Sequence, residues 1–497
     1  MKIKHYIFML CGLLVTGSCD LQEEPYGFYS EDNFYKTATD AESAISYAYD
    51  ALTYLEYSRG VFMLGDMPTD EAGPKADEGA DAQALHNWTT ENFNTNRSLS
   101  NYFKYAYIAI NRANSILDAI PNSQIEEKLK NQYLGEAYFL RAWNYFNLAR
   151  NFGMVPIHTS VVNSLEKTSA PKAKDLDELY NLITGDCRKA IELLDVNQAL
   201  GRADKVAAQS LAAKAYIYMA SSKAHNVPLY TELSLNTDAL YDSAAFFAGQ
   251  VVNDQGTYGF DSNLLDIYDV EKPDGPEHIF LMSMDRSGSV EGDYSKISKL
   301  FIPYVSGGDI YLDNGNGTYD KSHDGWSVFQ TNESFYNTFD GADDRGLLLL
   351  VDVLYDADGV EIATFPGNMP YRFCRKYIDP QFIADKTSTR PFLIRYSDIA
   401  LIYAEAIGAT PEAYDLVNYI RNRAGLGNLP SGLSTDEFRE HVFDERGWEL
   451  AFEGNRLYDL RRFNRVTDMV EEAVGITAEQ AAFYPIPQLE EDLNQAL

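Results

Sequence analysis

Apolar residues recur along much of the chain at the spacing of one helical face. Between residues 40 and 57 they are mainly Ala and Tyr, three or four positions apart. This is the pattern of an amphipathic helix packed on a core. Comparable patterns, separated by short breaks, predict antiparallel pairs of helices over about 99–119, 125–150, 176–194, 203–222, 395–409, 411–424 and 434–453.

Capping residues mark several of these helix ends. Thr410 stands at an N-cap position, with Pro411 at the first helical position, and Gly425 fits the position just past the end of the same helix. Ser434 begins a Ser-Thr-Asp-Glu capping box for a later helix. These signals predict helix boundaries from local chemistry alone.

Two segments interrupt the helical pattern. Residues 65–98 predict a long polar connection, and residues 254–390 predict loops with short strands, rich in Gly and Tyr. The second segment is too long to be only a connector, which points to function. The predicted fold is therefore mainly α. Helix–turn–helix pairs similar to the tetratricopeptide unit of about 34 residues form a scaffold over about 36–253 and 391–497, and 254–390 is an irregular ligand-binding insert.

The N-terminus predicts an export and anchoring signal. Lys2 and Lys4 precede an apolar run over 6–15 that is too short to span a bilayer, and small residues then lead to Cys19. This order resembles a bacterial lipobox, in which the cysteine is lipidated and begins the mature chain. An ordinary secretory signal cleaved near Ser18 is the alternative. The expected organisation is a signal peptide over 1–18, a lipidated acidic tether over 19–35 and one domain over 36–497.

Composition excludes some partners. With 41 basic and 74 acidic residues, the chain carries a formal charge of −33. This charge repels phosphate backbones, so no nucleic-acid partner is expected, and membrane contact is expected only through the lipid anchor. The four cysteines have neither metal-ligand spacing nor the density of a disulfide framework. Cys187 and Cys374 are expected to be buried free thiols.

Sequence signatures of catalysis are missing. The chain has no HExxH, GxSxG, P-loop or GxGxxG motif. Glu445, Glu449 and Glu453 share a helix face, as a glycosidase pair could, but nearby arginines would depress their pKa values. A buried ion network is the preferred interpretation, so no catalytic residue, metal or cofactor is expected. Residues 313–317 hint at a calcium loop but lack its alternating ligands, and we interpret them as a turn, with a structural calcium ion left open.

Aromatic side chains in the loops are the most informative candidates. Trp88 lies in the polar connection, and Tyr304, Tyr311 and Trp326 lie in the Gly-rich insert. A flat ring can stack on the C–H face of a sugar while polar side chains read its hydroxyls, so these residues suit carbohydrate. Attachment of each loop to the core is the competing interpretation.

Several motifs, in order along the chain, resemble the SusD/RagB family of outer-membrane nutrient-binding lipoproteins. They are Glu136-Ala-Tyr-Phe-Leu-Arg-Ala142 with Phe152-Gly-Met-Val-Pro156, Lys376-Tyr377, Ile394-Arg-Tyr-Ser-Asp-Ile399, Ile420-Arg-Asn-Arg-Ala-Gly-Leu426, Glu449-Leu-Ala-Phe-Glu-Gly454 and Tyr484-Pro-Ile-Pro487. The resemblance implies a tetratricopeptide-like fold and a SusC-type TonB-dependent porin as partner. It also implies that Arg141, Arg395, Glu405 and Arg456 pair within the helical core.

The resemblance also sets the expected function and place of action. The chain is expected at the cell outer membrane, lipid-anchored and facing the exterior, as a protein of polysaccharide utilisation. The family's sugar platform corresponds by position to Trp88 and the Tyr304–Trp326 region. The candidate ligand-binding residues are therefore Trp88, Tyr304, Tyr311, Trp326, Asp70, Glu71 and Asn92.

The expected function is capture of an oligosaccharide or polysaccharide and its delivery to the porin, with no enzymatic activity. Three alternatives stay open from the sequence. The same architecture could bind peptides, as RagB-like proteins do. A carboxylate pair could make the chain a glycosidase. A purely structural tetratricopeptide adaptor would leave Trp88 and Trp326 buried and without a ligand.

Overall fold

The structure is a computed structural model that describes residues 35–196, 200–254, 258–290, 292–305 and 308–497. The predicted signal peptide, Cys19 and nearly all of the predicted tether lie outside the described residues. In the part of the chain that is described, no helix combines the length and the apolar character needed to cross a membrane.

Helices dominate both ends of the described chain. Neighbours in sequence pack on one another, including α4 on α5, α5 on α6, α6 on α7 and α7 on α8, and α11 packs on α8. The helices are α1 Ala38–Thr53, α2 Leu55–Gly65, α3 Ala80–His86, α4 Arg97–Ala119, α5 Glu127–Phe152, α6 Leu176–Leu193, α7 Lys205–Ala224, α8 Thr237–Asp254, α9 Ser298–Phe301, α10 Glu333–Tyr336, α11 Tyr396–Ile407, α12 Pro411–Arg423, α13 Thr435–Glu449, α14 Arg456–Arg462, α15 Val466–Met469, α16 Ala478–Ala482 and α17 Gln488–Leu493.

Short strands lie mostly in the middle of the chain and pair in antiparallel fashion. The strands are β1 Ala72–Pro74, β2 His278–Leu281, β3 Ile310–Asp313, β4 Tyr319–Ser322, β5 Phe329–Thr331, β6 Leu350–Val351, β7 Val353–Tyr355, β8 Glu361–Thr364, β9 Phe373–Cys374 and β10 Phe392–Arg395. β4, β3, β7 and β8 form one sheet in that order, and β1–β5, β2–β10 and β6–β9 form two-stranded sheets. The predicted mainly helical fold with a strand-containing middle segment is confirmed.

The predicted caps are confirmed where local chemistry determines them. Thr410 accepts a hydrogen bond from the Ala413 N–H, and Gly425 follows α12 with a positive φ of 79°. Ser434 completes the predicted capping box. Two predictions are wrong: the 434–453 helix already ends at Glu449, and residues 65–98 are not merely a connection, because they contain β1, α3 and a 3-10 turn.

A buried ion network joins the middle segment to the C-terminal helices. We define it as Arg345, Lys376, Arg395 and Arg423 with the four glutamates Glu277, Glu445, Glu449 and Glu453, all at most 3 % exposed at the side chain. Arg395, at the end of β10, is its centre. Its guanidinium donates to Glu277 (2.9 Å), Glu449 (2.8 Å) and Glu453 (2.7 Å).

The network confirms that the three glutamates of α13 and its flank form a structural cluster. Burial alone would raise the pKa of Glu449, but Arg423 and Arg395 hold that pKa well below its ordinary range. The implied core pairs are confirmed as well, since Arg141 binds Asp186 at 2.7 Å, while Glu405 pairs with Arg462. The arginines that pair with Glu445 and Glu449 include Arg345, Arg395 and Arg421, which are distant in sequence, whereas nearby arginines were expected.

The two cysteines within the described chain are free and buried, as expected. Burial raises the pKa of the Cys374 thiol to about 12, so this thiol stays protonated at neutral pH.

Replacing Arg395 by Leu should destabilise the fold strongly, because three buried carboxylates would lose their shared guanidinium. We expect a loss of about 3–5 kcal/mol in the free energy of unfolding, measured by urea denaturation. Arg465→Leu is the matched control, since Arg465 binds Glu440 at 3.0 Å on the surface, where a pair contributes about 1 kcal/mol or less. Equal losses in both variants would contradict a central role for Arg395.

Candidate functional site

Two exposed aromatic side chains lie on neighbouring loop segments of the middle region. Tyr304 is 70 % exposed and Trp326 is 38 % exposed. We call them the aromatic pair. This exposure leaves part of each side chain accessible to a ligand.

Backbone hydrogen bonds hold the two segments of the aromatic pair together. The Gly325 N–H donates to Pro303 O (3.0 Å), and the Ser327 N–H donates to Ile302 O (3.1 Å). The Ser327 hydroxyl accepts from the Tyr304 N–H at 3.1 Å. Ser327 adopts a positive φ of 60°, and a Cβ on Gly325 would lie 2.1 Å from Ile302 O. A glycine is therefore required where the segments meet.

A cavity of about 300 Å³ opens between α2, α3 and α4. Its apolar wall includes Leu55, Met63 and Ala82. Its charged lining residues are Glu56, Arg59, Glu78, Asp81 and Arg97, and we therefore call it the arginine–carboxylate cavity. Such a mixture of apolar surface and paired polar groups is typical of ligand pockets.

The cavity and the aromatic pair belong to the same end of one small sheet. β1 and β5 are antiparallel, with Pro74 opposite Phe329. The residues that follow β1, including Glu78 in the cavity wall, therefore leave the sheet at the same end as Trp326, which precedes β5. The sequence did not indicate the cavity residues, because isolated charged positions on α2 and α4 look like ordinary solvated helix surface.

The prediction that Trp88 offers an exposed platform is wrong. Its side chain is only 3 % exposed, its indole N–H donates to Pro68 O (3.1 Å), and its ring stacks on Tyr484 with centroids 6.5 Å apart. Trp88 therefore anchors the 65–98 segment to the C-terminal segment.

Asp70 and Glu71 are also structural, which corrects their prediction as ligand-binding residues. Asp70 makes a bidentate pair with Arg456 at 2.8 and 2.6 Å. Glu71 is fully buried and accepts the Phe452 N–H at 3.1 Å. Phe452 has a positive φ of 60°, and these bonds hold the irregular turn after α13 in place.

Glu71 faces a second buried carboxyl, Asp66, which accepts the Gly454 N–H at 3.0 Å. Asp66 Oδ1 and Glu71 Oε2 have no other hydrogen-bond partner. Burial raises the pKa of Asp66 to about 7 and raises the pKa of Glu71 well above its ordinary value, the latter also by repulsion from Asp66. A proton shared between these carboxyls accounts for both shifts.

Asn92 and Tyr311 lie on other elements than the aromatic pair. Asn92 is exposed in the 3-10 turn Thr90–Thr95, which the C-terminal helices contact. Tyr311 projects from the outer face of β3, opposite Tyr355 of β7. Tyr319 lies 5.0 Å from Tyr355 between ring centroids, so Tyr311, Tyr319 and Tyr355 form a second aromatic surface, the tyrosine face.

The loop over 313–317 is a turn whose oxygens bind the guanidinium of Arg375. The Arg375 guanidinium donates to the carbonyl of Asp313, and to Asn314 Oδ1 (2.6 Å) and Asp320 Oδ2 (2.9 Å). Within the described residues, no group of three or more His, Cys, Asp or Glu side chains could hold a metal ion. A calcium ion at this loop would have to compete with a buried arginine.

Asp66→Asn should remove part of the pH dependence of stability, because it supplies a permanent N–H donor to Glu71. The folded pair holds its proton up to a higher pH than the unfolded chain does. Its contribution to stability therefore falls as pH rises from about 4 to about 7. We expect Asp66→Asn to gain stability relative to the unaltered chain by about 2–4 kcal/mol across that window, measured by urea denaturation at several pH values.

Asp468→Asn is the control for this measurement, since Asp468 is exposed. A constant difference between Asp66→Asn and the unaltered chain from pH 4 to pH 8 would contradict a shared proton at this site.

Comparison with known proteins identifies the family of the chain. A profile described as "SusD family" matches residues 352–496, and one described as "Starch-binding associating with outer membrane" matches residues 29–217. SusD-like protein P2 of Formosa agariphila is 25% identical over 93% of this chain and 91% of its own.

Solved structures share the fold over nearly their whole length. A laminarin-binding SusD-like protein has a TM-score of 0.76 at 23% identity, covering 93% of this chain and 98% of its own. Surface glycan-binding protein A from Bacteroides thetaiotaomicron, solved with laminarihexaose, has a TM-score of 0.71 at 18% identity, with the same coverage. These structures share the fold, and the two matched profiles with the SusD-like relative show that the chain belongs to the SusD/RagB family.

Proposed function

We propose that the protein is a non-enzymatic, surface-anchored lipoprotein that binds an oligosaccharide or polysaccharide and delivers it to a SusC-type TonB-dependent porin for import. The exposed aromatic pair, on segments that backbone hydrogen bonds hold together, is the observation that carries this proposal. Exposed rings stack on the C–H face of a pyranose, and the neighbouring charged groups bond its hydroxyls. The relatives named for laminarin and laminarihexaose support a glycan as the ligand.

Absence of catalysis is part of the proposal. The carboxylates that sequence spacing offered as a glycosidase pair are buried among arginines and lysine. A general acid must be protonated near neutral pH and must reach the glycosidic oxygen. The depressed pKa of Glu449 and the burial of the network oppose both requirements.

Delivery requires release, so binding is expected to be weak. Millimolar to micromolar affinity corresponds to about −4 to −8 kcal/mol. At that level one aromatic contact is a large share of the total, and its loss is easily detected.

Trp326→Ala and Tyr304→Ala should each weaken polysaccharide binding by about 1–3 kcal/mol, because each removes a stacking face from the site. Affinity electrophoresis of the unlipidated mature chain, Asp20–Leu497, through a panel of polysaccharides measures the effect. Phe246→Ala is the matched control, since Phe246 is an aromatic side chain on α8 that is 61 % exposed. It should leave retardation unchanged.

Tyr311→Ala in the same series distinguishes the two aromatic surfaces. Loss of retardation in Tyr311→Ala, with Trp326→Ala unaffected, would move the site to the tyrosine face and contradict the aromatic pair. Binding of peptides with no response to any polysaccharide would contradict glycan binding and favour the RagB-like alternative.

Cys19→Ala should release the protein from the outer membrane and slow glycan uptake, because a lipid on Cys19 is proposed as the only membrane attachment. Palmitate labelling and membrane fractionation of cells measure the anchor. Co-purification of the unaltered protein with a TonB-dependent porin measures the partnership. Membrane retention of Cys19→Ala without labelling would contradict the anchor, and purification free of any porin would contradict the delivery step.

A further inference from the structure

The basic side chains around the candidate site already form ion pairs with carboxylates. In the cavity, Arg59 lies 3.3 Å from Glu78, and Arg97 binds Asp81 at 2.9 Å between Nε and Oδ2. Asp81 Oδ1 also accepts the Arg97 backbone N–H at 3.0 Å. Each cavity arginine therefore already holds one carboxylate, Arg97 through Nε on a largely exposed side chain.

The same holds beside the aromatic pair. The backbone carbonyl of Lys299 accepts the backbone N–H of Trp326. The Nζ of Lys299 lies 2.8 Å from Oδ1 of Asp385 and 3.8 Å from Oδ1 of Asp324. Lys75, just after β1, lies 3.8 Å from Asp77 and 3.7 Å from Glu78.

The charge balance in the cavity is slightly negative. Its two arginines face the three carboxylates of Glu56, Glu78 and Asp81. At short range, the carboxylates of the cavity would repel a ligand that carries carboxylate or sulfate. The net charge of −33 would repel it at long range. Each guanidinium it met would already hold a carboxylate at one position, so an anionic group would compete with Glu78 or Asp81.

An uncharged sugar fits the same groups well. Each hydroxyl both donates and accepts hydrogen bonds, so it can accept from a guanidinium N–H while it donates to the neighbouring carboxylate. Paired arginine and carboxylate side chains offer both roles side by side. The rings of Tyr304 and Trp326 add a surface that needs no charge on the ligand.

We propose that this site is selective for uncharged glycans and rejects chains that carry uronate or sulfate groups. This inference rests on the proposed function and deepens it by naming the class of glycan. Selectivity here comes from carboxylates that neutralise the site's own cations, chiefly Asp81 on Arg97 and Glu78 on Arg59.

The test compares neutral and anionic polysaccharides on the unlipidated mature chain, Asp20–Leu497. Affinity electrophoresis with amylopectin, laminarin and galactomannan represents the neutral class, and polygalacturonate, alginate and chondroitin sulfate represent the anionic class. A neutral polysaccharide that binds is then oxidised at C6 to its uronate form and tested again. We expect retardation by a neutral chain and at least a tenfold weaker affinity for its oxidised form.

Asp81→Asn tests the cause of the selectivity. The amide oxygen can still accept the Arg97 backbone N–H, but Arg97 loses its charge partner. We expect the affinity for the oxidised polysaccharide, divided by the affinity for its neutral form, to rise about tenfold. Binding of the oxidised polysaccharide by this variant should weaken with added salt. Glu440→Gln is the matched control, because it removes the same charge from the surface pair with Arg465 and should leave the ratio unchanged.

Each outcome separates this inference from the function beneath it. Binding of an anionic polysaccharide with neutral chains ignored would overturn the inference and leave glycan binding in place. An unchanged ratio in a folded Asp81→Asn protein would overturn the role given to the paired carboxylates. Failure of both classes to bind would overturn the inference together with the proposed function.

Discussion

The buried ion network is the interaction on which the rest of the structure depends. Arg395 ends β10 immediately before α11, and its guanidinium reaches glutamates from the middle segment and from α13 and the turn after it. Charges this deeply buried are tolerated only when geometry satisfies them, so the network permits one arrangement of the strands on the helices.

Local chemistry explains how much could be predicted from the sequence. Helices with clear caps, such as α12 between Thr410 and Gly425, were predicted to within a residue or two because capping depends on near neighbours. The site needed long-range information. Trp88 and Trp326 look alike in sequence, but one packs on Tyr484 almost at the end of the chain and the other lies open. The same holds for Asp70, whose partner Arg456 lies far along the chain.

The buried ion pairs and the candidate binding residues are separate groups of side chains. Carboxylates predicted to bind a ligand, Asp70 and Glu71, instead hold the turn after α13, while Arg59, Glu78, Asp81 and Arg97 line the cavity without taking part in the buried network. Tyr311 belongs to the tyrosine face and not to the loops of the aromatic pair. The sequence predicted one binding site from these residues because their side chains have similar chemistry. In the fold, strand register and burial place them in different surroundings.

The manner in which the aromatic pair is held bears on how such proteins diversify. Segments 302–304 and 325–327 are joined mostly through N–H and C=O groups that every residue carries, with Gly325 as the position that must stay small. The side chains at 304 and 326 therefore do not have to hold their own segments in place. Substitutions at these two positions can replace one ring by another, or by a polar group, without unfolding the chain, so the proposed binding surface can change by single mutational steps.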